Sequence, residues 1–66
     1  MSEEVIKDKN GYVLATLETK GNTIIMYDKY RNRIAQFDSN EGYTRDKYGN
    51  KIGNGNLLMT LLPKGN

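Results

Sequence analysis

Short apolar stretches alternate with polar, turn-forming stretches along the chain as far as Asn54. The apolar stretches are rich in β-branched and aromatic residues and are bounded by Gly, Asn, Asp and Ser, which is typical of strands joined by turns. The segments "ETKGN" (18–22) and "DSNEG" (38–42) have the composition of turns between hairpins. No amphipathic helix of credible length precedes Asn54, so the pattern predicts an all-β fold.

One nine-residue phrase recurs three times, as "KDKNGYVLA" (7–15), "YDKYRNRIA" (27–35) and "RDKYGNKIG" (45–53). Each copy starts its turn with Asp-Lys and ends with a large apolar residue followed by a small one. Repeats at such a spacing determine the whole fold, and here they predict three equivalent β-hairpins joined in a meander. The predicted hairpins cover about residues 3–18, 22–38 and 42–54.

The polar part of the phrase predicts a three-residue turn, in which a type I turn is followed by a residue in the left-handed region. The Asp hydrogen-bonds the backbone two residues on, and Gly11 or Gly49 takes the positive φ without steric cost. The second copy has Arg31 at that position. We expect Asn32 to take the left-handed position in a loop one residue longer; the alternative is that Arg31 accepts strain of roughly 1 kcal/mol.

If the two strands of each hairpin pair without interruption from the turn, the register predicts which residues lie opposite each other. In the first hairpin it places Ile6 opposite Leu14 and Val5 opposite Ala15, and the other hairpins repeat this arrangement. Large apolar side chains then fall on both faces near the hairpin bases. On this register both faces of the sheet need a cover.

The apolar tail 56–62 breaks the repeat, because the run "LLMTLL" contains five large apolar side chains. Burying each is worth roughly 1.5–3 kcal/mol. Periodicity leaves a short helix, capped by Asn56 and ended by Pro63, and a final strand as equal alternatives. We predict that the meander closes into a shallow flower-like barrel and that the tail packs at its centre or contacts another subunit. The residues concerned are Leu57, Leu58, Met59, Leu61 and Leu62.

The chain of 66 residues is long enough for one domain, covering 1–66, with a small core. Domains of this size usually need disulfides, a structural metal or self-association. The sequence contains no Cys and no His, which excludes disulfides and Cys/His zinc sites. We therefore predict a homo-oligomer or a protein partner.

Catalytic systems of the Ser-His-Asp or Cys-His type need the His and Cys that this sequence lacks. The sequence also contains no phosphate-binding loop. We expect no catalytic residues, no metal and no cofactor. The N-terminus lacks the features of a signal peptide, and the longest apolar run is far below the roughly 20 residues of a membrane span. The sequence thus favours a cytoplasmic, non-enzymatic structural or interaction module of unknown role.

Single-stranded nucleic acid binding is the alternative function, because small β modules stack bases on aromatic rings set among basic residues. The net charge is +2, but between Tyr27 and Lys51 six basic residues are interspersed with four acidic ones, which opposes a continuous basic stripe. The candidate surface consists of Tyr27, Tyr30, Arg31, Arg33, Arg45, Lys47 and Tyr48.

The stretches "DKNGYVLA" (8–15), "DKYGNKIG" (46–53) and "GNLL" (55–58) resemble the 4-fold beta-flower family of small bacterial proteins. The resemblance spans most of residues 5–58 and implies a shallow ring of hairpins around an apolar centre. That family is uncharacterised, so the resemblance implies no site residues. The chain departs from the pattern in having three hairpin phrases, and a fourth hairpin would come from the tail or another subunit.

Overall fold

The computed structural model of the chain describes residues 2–63 and shows six strands in one antiparallel sheet, ordered as a meander. The prediction of an all-β hairpin meander is confirmed. A short 3₁₀ helix follows the last strand, which decides between the two alternatives for the tail. The elements are β1 (Ser2–Lys7), β2 (Val13–Lys20), β3 (Thr23–Asp28), β4 (Arg33–Asp38), β5 (Tyr43–Asp46), β6 (Lys51–Asn54) and the 3₁₀ helix (Leu58–Leu61).

The sheet is open, because β1 and β6 each pair with one neighbour only within residues 2–63. The predicted closure into a barrel is therefore wrong. Strand β6 is four residues long, and the chain then turns at Gly55, where φ is 79°, and places its 3₁₀ helix against β4. A strand this short offers β1 too few positions for the staggered pairing that closure requires.

The three repeat turns have the same geometry. In the first, the Asp8 N–H donates to the Tyr12 carbonyl at 2.9 Å and the Asp8 carbonyl accepts the Gly11 N–H at 3.0 Å. The Asp8 carboxylate also accepts the N–H groups of Asn10 and Tyr12, at 2.8 and 3.0 Å. Asp28 and Asp46 make the equivalent four bonds. The hairpin turns predicted from the repeated phrase thus all form.

Arg31 takes the left-handed position of the second turn, with φ of 70°, so the expectation that Asn32 would do so in a longer loop is wrong. The Asn32 N–H is bound by the Asp28 carboxylate, and its carbonyl accepts the Asp28 N–H at 2.8 Å. These bonds fix Asn32 at the end of the turn, so the residue before it must adopt the positive φ.

Each hairpin contains a one-residue register shift at the same place, just inside its turn. In the first hairpin Lys7 pairs with Val13 but Ile6 pairs with Ala15, so Leu14 is the extra residue of a β-bulge. The predicted Ile6–Leu14 and Val5–Ala15 pairs are therefore wrong. Ile34 and Ile52 are the extra residues of the other two hairpins.

Side chains along a strand alternate between the two faces of the sheet, so a one-residue shift in register moves the residues beyond it to the opposite face. Because of the bulges, one face of this sheet is apolar and the other is polar. The apolar face is defined by Ile6, Ala15, Leu17, Ile24, Met26, Ala35, Phe37, Thr44 and Gly53. The polar face is defined by Glu3, Val5, Thr16, Glu18, Ile25, Tyr27, Gln36, Tyr43 and Arg45. One face alone needs a cover, in contrast to the expectation from the regular register.

The core is small and lies on the apolar face. Its buried apolar residues, within 2–63, are Ala15, Met26, Ala35 and Leu58. Leu58 comes from the 3₁₀ helix, and buried Thr44 anchors the segment before it: the Thr44 hydroxyl donates to the Gly55 carbonyl at 2.7 Å and accepts the Leu57 N–H at 2.9 Å. The tail thereby covers the apolar face through fully buried Leu58, with half-buried Leu61 and Leu62 packed against the same core.

Candidate binding surface

The meander brings the three repeat turns to one end of the sheet and the two connecting turns, near Gly21 and Gly42, to the other. We call the first end the tip surface, defined as residues 7–12, 28–33 and 46–51. The equivalence of the three turns means that residues at matching positions of the phrase lie at this same end. Side chains that recur at the same position of the phrase are therefore brought together at this end of the sheet.

The tip surface carries seven of the nine basic residues described and three acidic ones. The opposite end, which we call the acidic end, carries three carboxylates and one lysine at or next to the connecting turns. Its charged residues are Glu18, Lys20, Asp38 and Glu41, whereas Glu3 binds Arg31 and Glu4 lies level with Asp46 across the strands. The small net charge of +2 therefore conceals an excess of basic residues at the turns, which directs anions towards the tip surface.

The three acidic residues of the tip surface are directed into their own turns. The Asn32 N–H holds the pKa of Asp28 below its usual value, and the Asn50 N–H does the same for the pKa of Asp46. The carboxylates of Asp28 and Asp46 stay ionised at neutral pH, and all three turn carboxylates are engaged by backbone N–H groups. They fix the turns on which the lysines and tyrosines are carried.

Two tyrosines stand out from the tip surface at the same position of their turns. Tyr30 is 73% exposed and Tyr48 is 78% exposed. The ammonium of Lys29 lies 5.2 Å from the ring centroid of Tyr30, and that of Lys47 lies 5.3 Å from that of Tyr48. Each turn thus presents an aromatic ring beside a cation, the pair of groups that contacts a nucleotide base and its phosphate.

Arg33 joins the second and third turns. Its guanidinium donates to the Lys47 carbonyl at 3.3 Å and to Gln36 Oε1 at 3.4 Å. Both acceptors are neutral, and Arg33 has no carboxylate partner among residues 2–63. It lines an open groove of about 570 Å³ between the two turns, together with Asp28, Asn32, Ile34, Lys47 and Tyr48. Arg33 therefore places a positive charge that has no carboxylate hydrogen-bond partner in a concave site that Asp28 also lines.

Arg31 lies on the tip surface, but its charge is compensated. Its guanidinium donates to a Glu3 carboxylate oxygen at 3.1 Å. This hydrogen bond and the negative charge of Glu3 raise the pKa of Arg31. Arg31 is accordingly a weaker candidate for an anion contact than Arg33.

Tyr27 and Arg45 lie on the polar face beside the turns: Tyr27 pairs with Arg33 across the strands, and the Arg45 guanidinium donates to the Gly49 carbonyl of the third turn at 2.7 Å. The Tyr27 hydroxyl donates to Glu18 at 3.3 Å. Arg45 makes two hydrogen bonds to Glu41, at 3.2 and 3.1 Å, which raise its pKa, and another to the Tyr43 hydroxyl at 2.6 Å. Both residues therefore adjoin the tip surface, but their polar groups are already bound to carboxylates.

The five apolar tail residues have different surroundings. Leu58 is 1% exposed and belongs to the core, whereas Met59 is 55% exposed. Leu57, Leu61 and Leu62 are half-buried. Leu58 therefore acts within the chain, and Met59 is the residue of this set that remains open to a partner.

Sequence reasoning omitted Lys29 and Asn32 from the candidate surface, although both contribute to it. The signal was present, because Lys29 and Lys47 occupy the same position of the repeated phrase. Asn32 is found only from the groove between the turns, since its contribution depends on how neighbouring hairpins approach each other.

Comparisons with protein-family models, curated proteins and solved structures found no match. The resemblance to the 4-fold beta-flower family therefore stays a prediction. No helix in residues 2–63 has the length and apolar composition needed to cross a bilayer. Within the same residues no three carboxylates converge in a way that would hold a metal ion.

Proposed function

We propose that the chain is a non-catalytic interaction module that binds an anionic partner through the tip surface. The observation that carries this proposal is the excess of basic residues that the repeat collects at the turns. Such a distribution steers anions to one end of the molecule and raises their rate of association. A cytoplasmic location and the family relationship are retained as predictions from the sequence alone.

Single-stranded nucleic acid is the anionic partner that the tip surface fits best. Exposed aromatic rings on neighbouring turns give sequence-tolerant stacking platforms, and the basic groups beside them follow a phosphate backbone. Tyr30 and Tyr48 supply the rings, Lys29 and Lys47 the flanking charges, and Arg33 a further charge in the groove between them. The arrangement suits a few unpaired nucleotides, since duplex bases offer no free ring face.

Fluorescence anisotropy with a fluorescein-labelled single-stranded 12-mer tests this proposal. We expect saturable binding that weakens steeply as salt rises from low to physiological concentration. Tyr48→Ala should weaken binding by roughly 5- to 100-fold, corresponding to about 1–3 kcal/mol per stacked base. Lys47→Ala should reduce both the affinity and the salt dependence.

Lys20→Ala is the matched control, because it removes the same charge from the acidic end. It should leave oligonucleotide binding unchanged. Polyglutamate serves as a competitor: equal binding of this polymer would show a general anion site instead of a nucleic-acid site. A flat titration with both polymers at low salt would contradict the proposed function itself.

We also propose that the chain self-associates. Four buried apolar residues, of which two are alanines, make a small core for a chain of this length. Association of folded copies stabilises the native state by mass action and is a common substitute for disulfides in small domains. Sedimentation equilibrium over a range of concentrations tests for an assembly larger than one chain.

A further inference from the structure

Strand β1 has a free outer edge. It pairs with β2 on one side and with no strand on the other within residues 2–63. Five of its six residues are exposed, and only Ile6 is half-buried. A strand edge of this kind presents unpaired N–H and C=O groups to which another strand adds readily. Strand β6, the other edge, is shorter and ends at the turn through Gly55.

We infer that two copies of this chain pair through antiparallel β1 strands, with the two-fold axis at Val5. The inference deepens the self-association proposed above by naming its surface, and it does not depend on ligand binding at the tip surface. The resulting sheet continues from one copy to the other, with the apolar faces on the same side.

Symmetry leaves few registers to consider. The two-fold axis of an antiparallel strand pair is normal to the sheet, so it places one residue opposite the same residue of the partner. For the middle of β1 this residue is Glu4, Val5 or Ile6. Each choice fixes every other pair along the two strands.

Charge distinguishes the three registers. An axis at Glu4 places two like charges directly opposite each other, which is destabilising. An axis at Ile6 places Lys7 opposite Val5. An axis at Val5 places Glu3 opposite Lys7 on both sides of the axis and joins the two valines at the centre. Of the three registers, only this one places opposite charges of β1 against each other; it leaves Glu4 opposite Ile6, and Glu3 keeps its bond to Arg31.

The exposure of Val5 supports the same register. Val5 is an apolar residue on the polar face, and it is 47% exposed at the free edge. Pairing with its counterpart covers apolar surface that the single chain leaves in water.

Single-cysteine variants read this register directly, because the natural chain has no cysteine. Residues facing each other across an antiparallel pair have Cα atoms about 4.5–5.5 Å apart, within reach of a disulfide. Under mild oxidation we expect Val5→Cys to form covalent dimers much faster than Glu4→Cys. A faster reaction of Glu4→Cys, or equal rates, would overturn the proposed axis.

Lys7→Glu provides a second test that does not depend on oxidation. It replaces two attractive pairs with two repulsive ones, and we expect the dimer dissociation constant in sedimentation experiments to rise roughly tenfold. Lys9→Glu, the same change within the turn, should leave it unaltered. A chain that stays monomeric at millimolar concentration overturns the inference. Unchanged oligonucleotide binding by that monomer would leave the tip-surface proposal intact, so the two failures are distinguishable.

Discussion

Met26 on β3 pairs with Ala35 on β4, and the intervening bulge at Ile34 is what brings these two residues opposite each other. Both are fully buried, and both belong to the core cluster. The equivalent bulges at Leu14 and Ile52 place Ala15 and Gly53 in the matching positions. A large residue beside a small one on the apolar face is thus the repeated packing unit of this sheet.

We expect Ala35→Leu to destabilise the protein by about 1–3 kcal/mol, because the added methylene groups enter a filled core beneath Met26. Urea denaturation followed by circular dichroism measures the change. Gln36→Leu, at the next position and on the polar face, is the matched control and should cost clearly less. Equal costs for the two variants would show that the register assigned here is incorrect.

Leu58→Ala should cost about 2–5 kcal/mol, because it removes the one large tail side chain that is fully buried in the core. Met59→Ala removes a similar volume from the neighbouring position, which is 55% exposed, and should change the free energy of unfolding by less than about 0.5 kcal/mol. A loss of stability in Met59→Ala as large as that in Leu58→Ala would mean that the tail packs through a different face.

Arg31→Gly should raise the midpoint of thermal unfolding, because glycine adopts the positive φ of this position without a Cβ clash. The gain is partly offset by loss of the hydrogen bond to Glu3. Asn32→Gly distinguishes this turn from the longer alternative. It should lower the midpoint, since Asn32 has no positive φ and glycine adds only freedom to the unfolded chain.

Stability should decrease in acid through the turn carboxylates. The backbone N–H groups of Asn32 and Asn50 lower the pKa of Asp28 and Asp46, and the guanidinium of Arg45 lowers that of Glu41. A group whose pKa is lower in the folded state adds stability above its unfolded pKa and loses it as the pH falls through the folded value. We therefore expect the free energy of unfolding to be level near neutrality and to fall below about pH 4.

Asp46→Asn keeps an acceptor oxygen in the turn but no longer titrates, so its unfolding free energy should depend less on pH in the acid range. Parallel urea titrations of both proteins between neutral pH and pH 3 measure the difference. If the free energy of unfolding changed equally with pH in the variant and in the natural chain, Asp46 would not contribute to the loss of stability in acid.

The turns were predictable from the sequence because their chemistry is local. An Asp and a residue able to take positive φ determine each turn within five positions, and the structure confirms the first and third turns as predicted. In the second turn Arg31, and not Asn32, takes the positive φ, so the longer loop was a wrong prediction. The bulges were not predictable in the same way. Leu14 and Ala15 are both apolar, so either residue satisfies the pattern opposite Ile6, and only packing across several strands decides between them.

The candidate surface was predictable in part for the same reason. Tyr30 and Tyr48 occupy one position of the repeated phrase, and equivalent turns necessarily bring them to one end. The neutralisation of Arg31 by Glu3 could not be predicted, because these residues are 28 positions apart, and Arg31 lies in the turn of a hairpin that does not pair with β1. Long-range ion pairs of this kind depend on side-chain reach across a face and leave no sequence pattern.

Chemical-shift mapping by NMR tests most directly whether the repeat builds a binding surface at the turns. A ¹⁵N-labelled sample is titrated with the unlabelled single-stranded oligonucleotide at low salt. The amide resonances of residues 29–33 and 47–50 should shift together and saturate, while those of 20–22 and 38–42 stay in place. Shifts concentrated at the acidic end, or none at either end, would contradict a binding surface formed by the repeated turns.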